Sequence, residues 1–330
     1  MSETNRVRLR PERKHGHIEI YTLKAIEPQP RRRALWLHFA LYRPTRAGKT
    51  TVGECWAVVH DAGKGRKWAA KRVLPLGHCS FGDDGFSLGF ASCLLDDRGS
   101  SGVLPGEVDL GWDLQYASQA GPTEAPLMEV QPVVGFGIET PRPNARVNGE
   151  VRVGDETWAV ESWPAMQGHR WGRRYPLRSA WAHCNDFDGH PDAWFEGFSA
   201  SMAVGPIRTP LSTSLRLHYE GQDIQFESLR QMWKRGADMG HLFWRFEALQ
   251  KPWTLRGVVQ ARRRQTAGIF RFDTNGEPTN NLSSAVAQAD IFLLRSDGTR
   301  EVPVAQLISP NAAALELIDP SPAHGVMMLL

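Results

Sequence analysis

The chain has 330 residues, a formal net charge of +3, and 41% hydrophobic and 23% charged residues. That composition excludes intrinsic disorder and supplies a sizeable core, and at roughly 150 residues per domain it suggests about two domains. So small a charge, with Arg31, Arg32, Arg33 and Arg262, Arg263, Arg264 as short basic runs not interleaved with aromatics, speaks against nucleic acid as a partner.

The opening residues, MSETNRVRLRPERK, carry charges but no apolar stretch like that of a signal peptide, so about the first 14 residues read as a basic tail. No segment approaches the roughly 20 apolar residues that cross a bilayer. A cytoplasmic location is expected, with peripheral contact to a membrane surface left open. Cys55, Cys79, Cys93 and Cys184 are widely spaced and contain no CxxC pair, which fits free thiols. Without HExxH or a recognised ligand spacing no metal is expected, and without GxxxxGK[ST], or GxGxxG between strand and helix, no cofactor. A GxSxG nucleophile elbow is also missing.

Leu35, Leu37, Phe39 and Leu41 alternate with Trp36, His38, Ala40 and Tyr42, the period of a strand packed on one side. Glu54, Trp56, Val58 and His60 repeat the pattern. Further strands are predicted over 85–95, 107–116, 145–153, 156–162 and 193–204. Two clear hairpins follow, 211–219 with 224–229 and 291–295 with 300–304, each turning on a Gly that can take positive φ. Residues 241–249 and 254–262 form another pair around Lys251 and Pro252. Ser283 to Ala289 is the nearest approach to a helix or an irregular lid. Short strands with Gly-rich turns imply an all-β fold, and so much antiparallel edge favours closure into barrels. Arg33, Trp36, His38 and Arg178, Trp181, His183 share an R-x-x-W-x-H pattern, by duplication or by coincidence; a duplication would place the cut near residue 160.

The densest chemistry lies between Ser162 and Phe198. GHRWG, Gly168 to Gly172, reads either as a loop delivering His169 and Trp171 into a cavity or as a tight turn with a packed indole, and the neighbouring Arg170, Arg173 and Arg174 should keep His169 neutral. In an extended chain Trp181, His183, Asn185 and Phe187 share one face, while Ala180, Ala182 and Cys184 share the other. Three polar-capable side chains on a buried face imply either a polar network or a ligand. Candidate acids are Glu161, Asp186, Asp188 and Glu196, of which Glu196 is in phase with Trp194 and Phe198 and is expected inward; Asp186 and Asp188 sit beside a turn. Of the 12 tryptophans most should pack the core, and others could line an apolar pocket and stabilise a cation.

The run Gly168-His169-Arg170-Trp171-Gly172, then Arg178, then Trp181-Ala182-His183-Cys184-Asn185-Asp186-Phe187, resembles the WG...W...N-x-F pattern of the lipocalin-like superfamily that contains tocopherol cyclase and carotenoid 1,2-hydratase. The likeness covers roughly Val147 to Ala200, and Arg170, Arg173 and Arg174 depart from it. It implies two consecutive lipocalin-like barrels, residues 1–160 and 161–330, and a cavity for a hydrophobic isoprenoid-like or polyketide-like molecule. The expected function is a cofactor-independent, acid-assisted cyclisation, hydration or isomerisation. Glu196, Asp186, His183 and His169 are the catalytic candidates, and Trp171, Trp181, Asn185, Gln167, Trp194 and Arg170 the ligand-binding ones. The alternative is a binding protein that holds a lipid without turnover.

Overall fold

The structure, a computed structural model, describes residues 5–10, 15–29, 32–45, 49–82, 85–117, 128–130, 136–226, 236–319, 321 and 324–330. Arg31, Trp233 and residues 227–229 of the expected strand lie outside them. Among the described residues the elements are strands and two short 3-10 turns, the all-β fold expected from the alternation. No helix among them is long and apolar enough to cross a membrane. The chain forms two units, one of Met1–Tyr175, Arg271–Pro278 and Leu329–Leu330, the other of Pro176–Phe270 and Thr279–Met328.

The first unit contains β1 (His17–Ile26), β2 (Arg33–Arg43), β3 (Val52–Asp61), β4 (Arg66–Pro75), β5 (Cys79–Phe81), β6 (Ser87–Phe90), β7 (Cys93–Asp96), β8 (Gly99–Leu104), β9 (Leu110–Tyr116), β10 (Met128–Val130), β11 (Phe136–Val153) and β12 (Glu156–Gly172). They pair in the order β4-β3-β2-β1-β12-β11-β9-β8-β7-β6-β5, with β10 on β11. Side chains from both ends of this order, Ala70 of β4 and Leu88 and Phe90 of β6, meet in one core with Leu37, Trp112, Trp158 and Trp163, as a curled barrel requires. The second unit contains β13 (Arg178–Cys184), β14 (Trp194–Ser201), β15 (Ala203–Val204), β16 (Ile207–Arg208), β17 (Ser212–Tyr219), β18 (Gln222–Phe226), β19 (Ala237–Met239), β20 (Phe243–Gln250), β21 (Trp253–Gln260), β22 (Ala267–Phe272, whose Arg271 and Phe272 fall in the first unit), β23 (Pro278–Ser296, from Thr279 on) and β24 (Glu301–Asp319). Its main order is β18-β17-β14-β13-β24-β23-β21-β20-β19, around a core of Phe195, Leu215, Leu217, Trp244, Phe246 and Leu315.

The two orders are the same pattern. In each unit the first strand sits between the second and the last, and the two longest strands close the series. The R-x-x-W-x-H matches, however, fall on β2, the second strand of its unit, and on β13, the first of its own, so the shared motif does not mark equivalent positions. The division falls after Tyr175 and not near residue 160, because β12 runs unbroken from Glu156 to Gly172 between β1 and β11.

Bulges explain where the period misled. Ser283–Ala289, expected as helix or lid, lies within β23, whose register against β24 shifts between Ser284 and Ala287 and again between Ala287 and Ala289. Two slips in one strand destroy its alternation. In β11, Gly149 (φ +137°) occupies another shift, and a Cβ there would stand 1.9 Å from the Asp113 carbonyl oxygen. Gly149→Ala is expected to destabilise the first unit by about 2–3 kcal/mol; a denaturation midpoint equal to the parent's would show that the bulge relaxes. The four cysteines are free, as expected, with Cys55, Cys93 and Cys184 buried.

Candidate functional site

In β13, Ala180, Ala182 and Cys184 turn into the apolar core of the second unit, so Trp181 and His183 must face the other way. Asn185 follows one residue past the strand end. All three are buried, His183 completely. That face therefore lies on the side of the sheet opposite the apolar core of the second unit. Phe187 breaks the alternation: after β13 ends the chain turns, Phe187 bridges to His190, and its ring enters the apolar core.

Register builds the rest of the face. Trp181 stands between Phe198 of β14 and Glu316 of β24, and His183 between Glu196 and Ala314. Glu196 is next to Arg216 of β17, and Glu316 next to Ser283 of β23. Directly opposed side chains of this kind have Cβ atoms about 5 Å apart. Trp181 Nε1 donates to Glu196 Oε1 at 2.9 Å, and the Trp181 and His183 rings lie nearly parallel, 16° apart, with centroids separated by 6.3 Å. Glu196 is 1% exposed and Glu316 2%. The Arg216 guanidinium lies 4.9 Å from the Trp194 ring and donates through Nη2 to Asp223 Oδ2 at 2.9 Å. Trp194 in turn stacks on His218, 4° from parallel, and His218 Nδ1 hydrogen-bonds Asp223 Oδ1 at 2.7 Å.

Glu196 is buried, but on the face opposite the apolar core, while Asp186 is half-buried beyond the strand end and Asp188 and Glu161 are exposed. Glu316 and Arg216 escaped the sequence reading. Their signal was a lone charge between core leucines: Leu315-Glu316-Leu317 and Leu215-Arg216-Leu217 each place one ion on the face opposite the core.

GHRWG is neither loop nor turn. It is the end of β12, paired Thr22↔Gly168, Tyr21↔His169 and Glu19↔Trp171, and it belongs to the first unit, whereas Trp181, His183, Asn185, Trp194 and Glu196 belong to the second. A glycine is needed across from it for close approach: a Cβ on Gly137 would be 2.2 Å from the Trp171 ring. Gln167, His169 and Trp171 share a face; Arg170 is on the other.

His169 holds two carboxylates, Nδ1 to Glu139 Oε1 at 2.8 Å and Nε2 to Glu19 Oε1 at 2.9 Å, with the Tyr21 ring stacked 4.0 Å above it. Only the imidazolium donates from both nitrogens. Burial would lower its pKa, but the hydrogen bonds and charges of Glu139 and Glu19 prevail and raise it above 6.5. The expectation of a neutral His169 is overturned, because the nearby arginines are outmatched by two carboxylates that the sequence could not place. Burial would raise the Glu19 carboxyl, yet His169 and His17 together hold it well below its ordinary value. Glu19 also accepts from Tyr21 OH at 2.8 Å and from the backbone N–H groups of Arg8 and Leu9 at 2.7 and 2.9 Å. The Asn5 N–H donates to Glu139 Oε1 at 2.8 Å, and the Asn5 and Gln167 amides exchange hydrogen bonds at 3.0 Å. Arg8 lies 3.7 Å over the Trp171 ring. Residues 5–10 are consequently a pinned segment and not a tail, with Leu9 in the core. A saturated, strongly ionised carboxylate is a poor proton donor, so this cluster fastens the segment.

The first unit has its own aromatic face. His38 lies 3.8 Å from the Trp56 ring, and its Nδ1 accepts from Arg271 Nη2 at 3.3 Å. Burial, then the charges of Arg271 and Arg170, lower the His38 pKa and keep it neutral. Arg271 also donates to Tyr175 OH at 2.9 Å. Among the described residues no group of three or more His, Cys, Asp or Glu side chains is arranged to hold a metal ion.

No family model matches the sequence, and no curated protein matches it. Solved structures do. A candidate AttH from Nitrosomonas europaea superposes with a TM-score of 0.53 at 10% identity, over 92% of this chain and 93% of that one. CghA gives 0.58 at 10% identity, over 94% and 90%, and CghA with Sch210972 gives 0.56 at 8%, over 93% and 89%. At such identities the likeness carries architecture alone, and that architecture is an all-β, lipocalin-like pair of barrel units.

Proposed function

We propose that the chain is an enzyme that uses a buried carboxyl to transform a hydrophobic, isoprenoid-like or polyketide-like molecule by cyclisation, hydration or isomerisation, at the β13–β14 face of the second unit. The observation that carries this reading is Glu196, a fully buried carboxyl fixed by the Trp181 indole and opposite His183. The motif likeness to the superfamily of tocopherol cyclase and carotenoid 1,2-hydratase supports it, as does the solved structure of CghA with Sch210972 on the same architecture.

In the proposed step the Glu196 O–H adds its proton to an alkene carbon, forming a C–H bond and leaving the cation on the neighbouring carbon. The face of Trp181 stabilises that cation by roughly 0.5–2 kcal/mol. Attack by a hydroxyl of the substrate or by water forms the new C–O bond, and the proton released returns to the Glu196 carboxylate. His183 and Asn185 orient the attacking oxygen. Pure protein incubated with polyprenyl quinols, acyclic carotenoids and polyketide polyenes, without added cofactor, is expected to convert at least one, followed by mass spectrometry. Conversion of none would set the reaction aside.

Arg216 favours a second reading, a carrier. A guanidinium next to Glu196 in the register attracts it as an anion, and an anion can hold a ligand's hydroxyl without giving it a proton. Native mass spectrometry separates the two: one unaltered lipid held per chain, with no product on release, indicates carriage.

A further inference from the structure

One surface of the second unit joins exposed cations to exposed apolar side chains. Arg262, Arg263 and Arg264 project into solvent where a 3-10 turn, Arg263–Gln265, leads into β22. The turn is rigid for a surface feature. The Gln265 N–H and the Thr266 hydroxyl both donate to the Arg262 carbonyl, at 2.8 and 3.0 Å, and the Gln265 and Thr266 side chains are buried beneath it. The guanidinium of Arg263 lies over Gly325, its atoms 3.3–3.5 Å from where a Cβ would stand.

From Gly325 the chain reaches β22 within three residues. The Gly268 N–H donates to the Met327 carbonyl at 3.0 Å, and the Met328 sulfur fills the space in front of Gly268 that a side chain would take. Phe270, two residues further along the strand, points to the same side as Gly268. Met327, Met328 and Phe270 are 68%, 37% and 42% exposed. Single exposed apolar residues are ordinary. Here three adjoin three arginines that form no ion pair among the described residues.

We propose that this surface docks the protein on an anionic membrane. Guanidinium groups pair with lipid phosphates, and Phe and Met side chains enter the boundary between headgroups and acyl chains. A nucleic acid would engage the arginines and stack on Phe270 but leave Met327 and Met328 in water, so the combination favours lipid. Docking does not depend on the reaction proposed above.

The test is co-sedimentation of the intact protein with vesicles of phosphatidylcholine alone and of phosphatidylcholine mixed with phosphatidylglycerol. Binding is expected to the anionic vesicles and to weaken with added salt. The triple variant R262Q/R263Q/R264Q is expected to lose about a hundredfold in partitioning, from about 1 kcal/mol per arginine at an anionic surface. F270S/M327S should lose binding while keeping the melting temperature; should either variant unfold, the salt dependence of the parent decides. Equal partitioning onto both vesicle types, partitioning unchanged in the variants, or tighter binding to a labelled single-stranded oligonucleotide than to the anionic vesicles would each overturn the proposal.

Discussion

Glu19→Gln is expected to destabilise the first unit by about 3–5 kcal/mol, the usual cost of removing one member of a buried ion pair. The carboxylate is surrounded by donors: His169, His17, Tyr21 and the backbone of Arg8 and Leu9. A glutamine amide would turn an N–H toward some of them and leave His169 with one anion in place of two. The pH dependence carries a sign from each partner. Glu19 is held below its ordinary 4.5, so its contribution is complete above that pH and fades as the pH falls toward the folded value. His169 is raised above its ordinary 6.5, so its contribution is complete below that pH and fades as the pH climbs through the raised value. The cluster therefore stabilises most between about pH 4.5 and 6.5. Limited proteolysis of residues 5–10 should be slowest in that window and rapid at all pH values in Glu19→Gln. Cleavage rates independent of both pH and substitution would mean that the segment is held by Leu9 packing alone.

Glu196→Gln is expected to lower turnover of a converted substrate by about 10²–10⁴-fold, the range that a positioned acid contributes. The amide keeps an oxygen for the Trp181 N–H, so the melting temperature should change little. Asp186→Asn, on a half-buried residue beyond the strand end, should leave turnover near the parent's. Conversion that survives both substitutions removes both carboxyls as the acid. Trp181→Phe is informative beside them: it retains an aromatic plane but deletes the hydrogen bond to Glu196, and a loss of turnover smaller than that of Glu196→Gln is expected.

The alternation of Leu35 to Tyr42 and of Ala180 to Cys184 was enough to assign strands and faces, because a half-packed strand writes its period directly into the residues. The same period put Glu196 on one face with Trp194 and Phe198, all three buried. It failed at Ser283–Ala289, where two register slips erase the alternation, and at GHRWG, where Gly172, with the Phe136 ring 3.0 Å from where its Cβ would stand, looks like a glycine that makes a turn. The His169 cluster was illegible for another reason. Glu19, Tyr21 and Glu139 lie far from His169 in the chain, and only the order β1-β12-β11 brings them to it. Glu316 and Arg216 could have been found, each a single charge between core leucines.

The face carrying Trp181, His183 and Glu196 is set apart from the packed interior of its own barrel, and a crystal structure with a converted or retained hydrophobic ligand tests that most directly. The ligand should lie in van der Waals contact with Trp181 and within hydrogen-bonding reach of Glu196. A ligand enclosed among Phe195, Leu215 and Trp244, on the other side of the same sheet, would contradict the assignment.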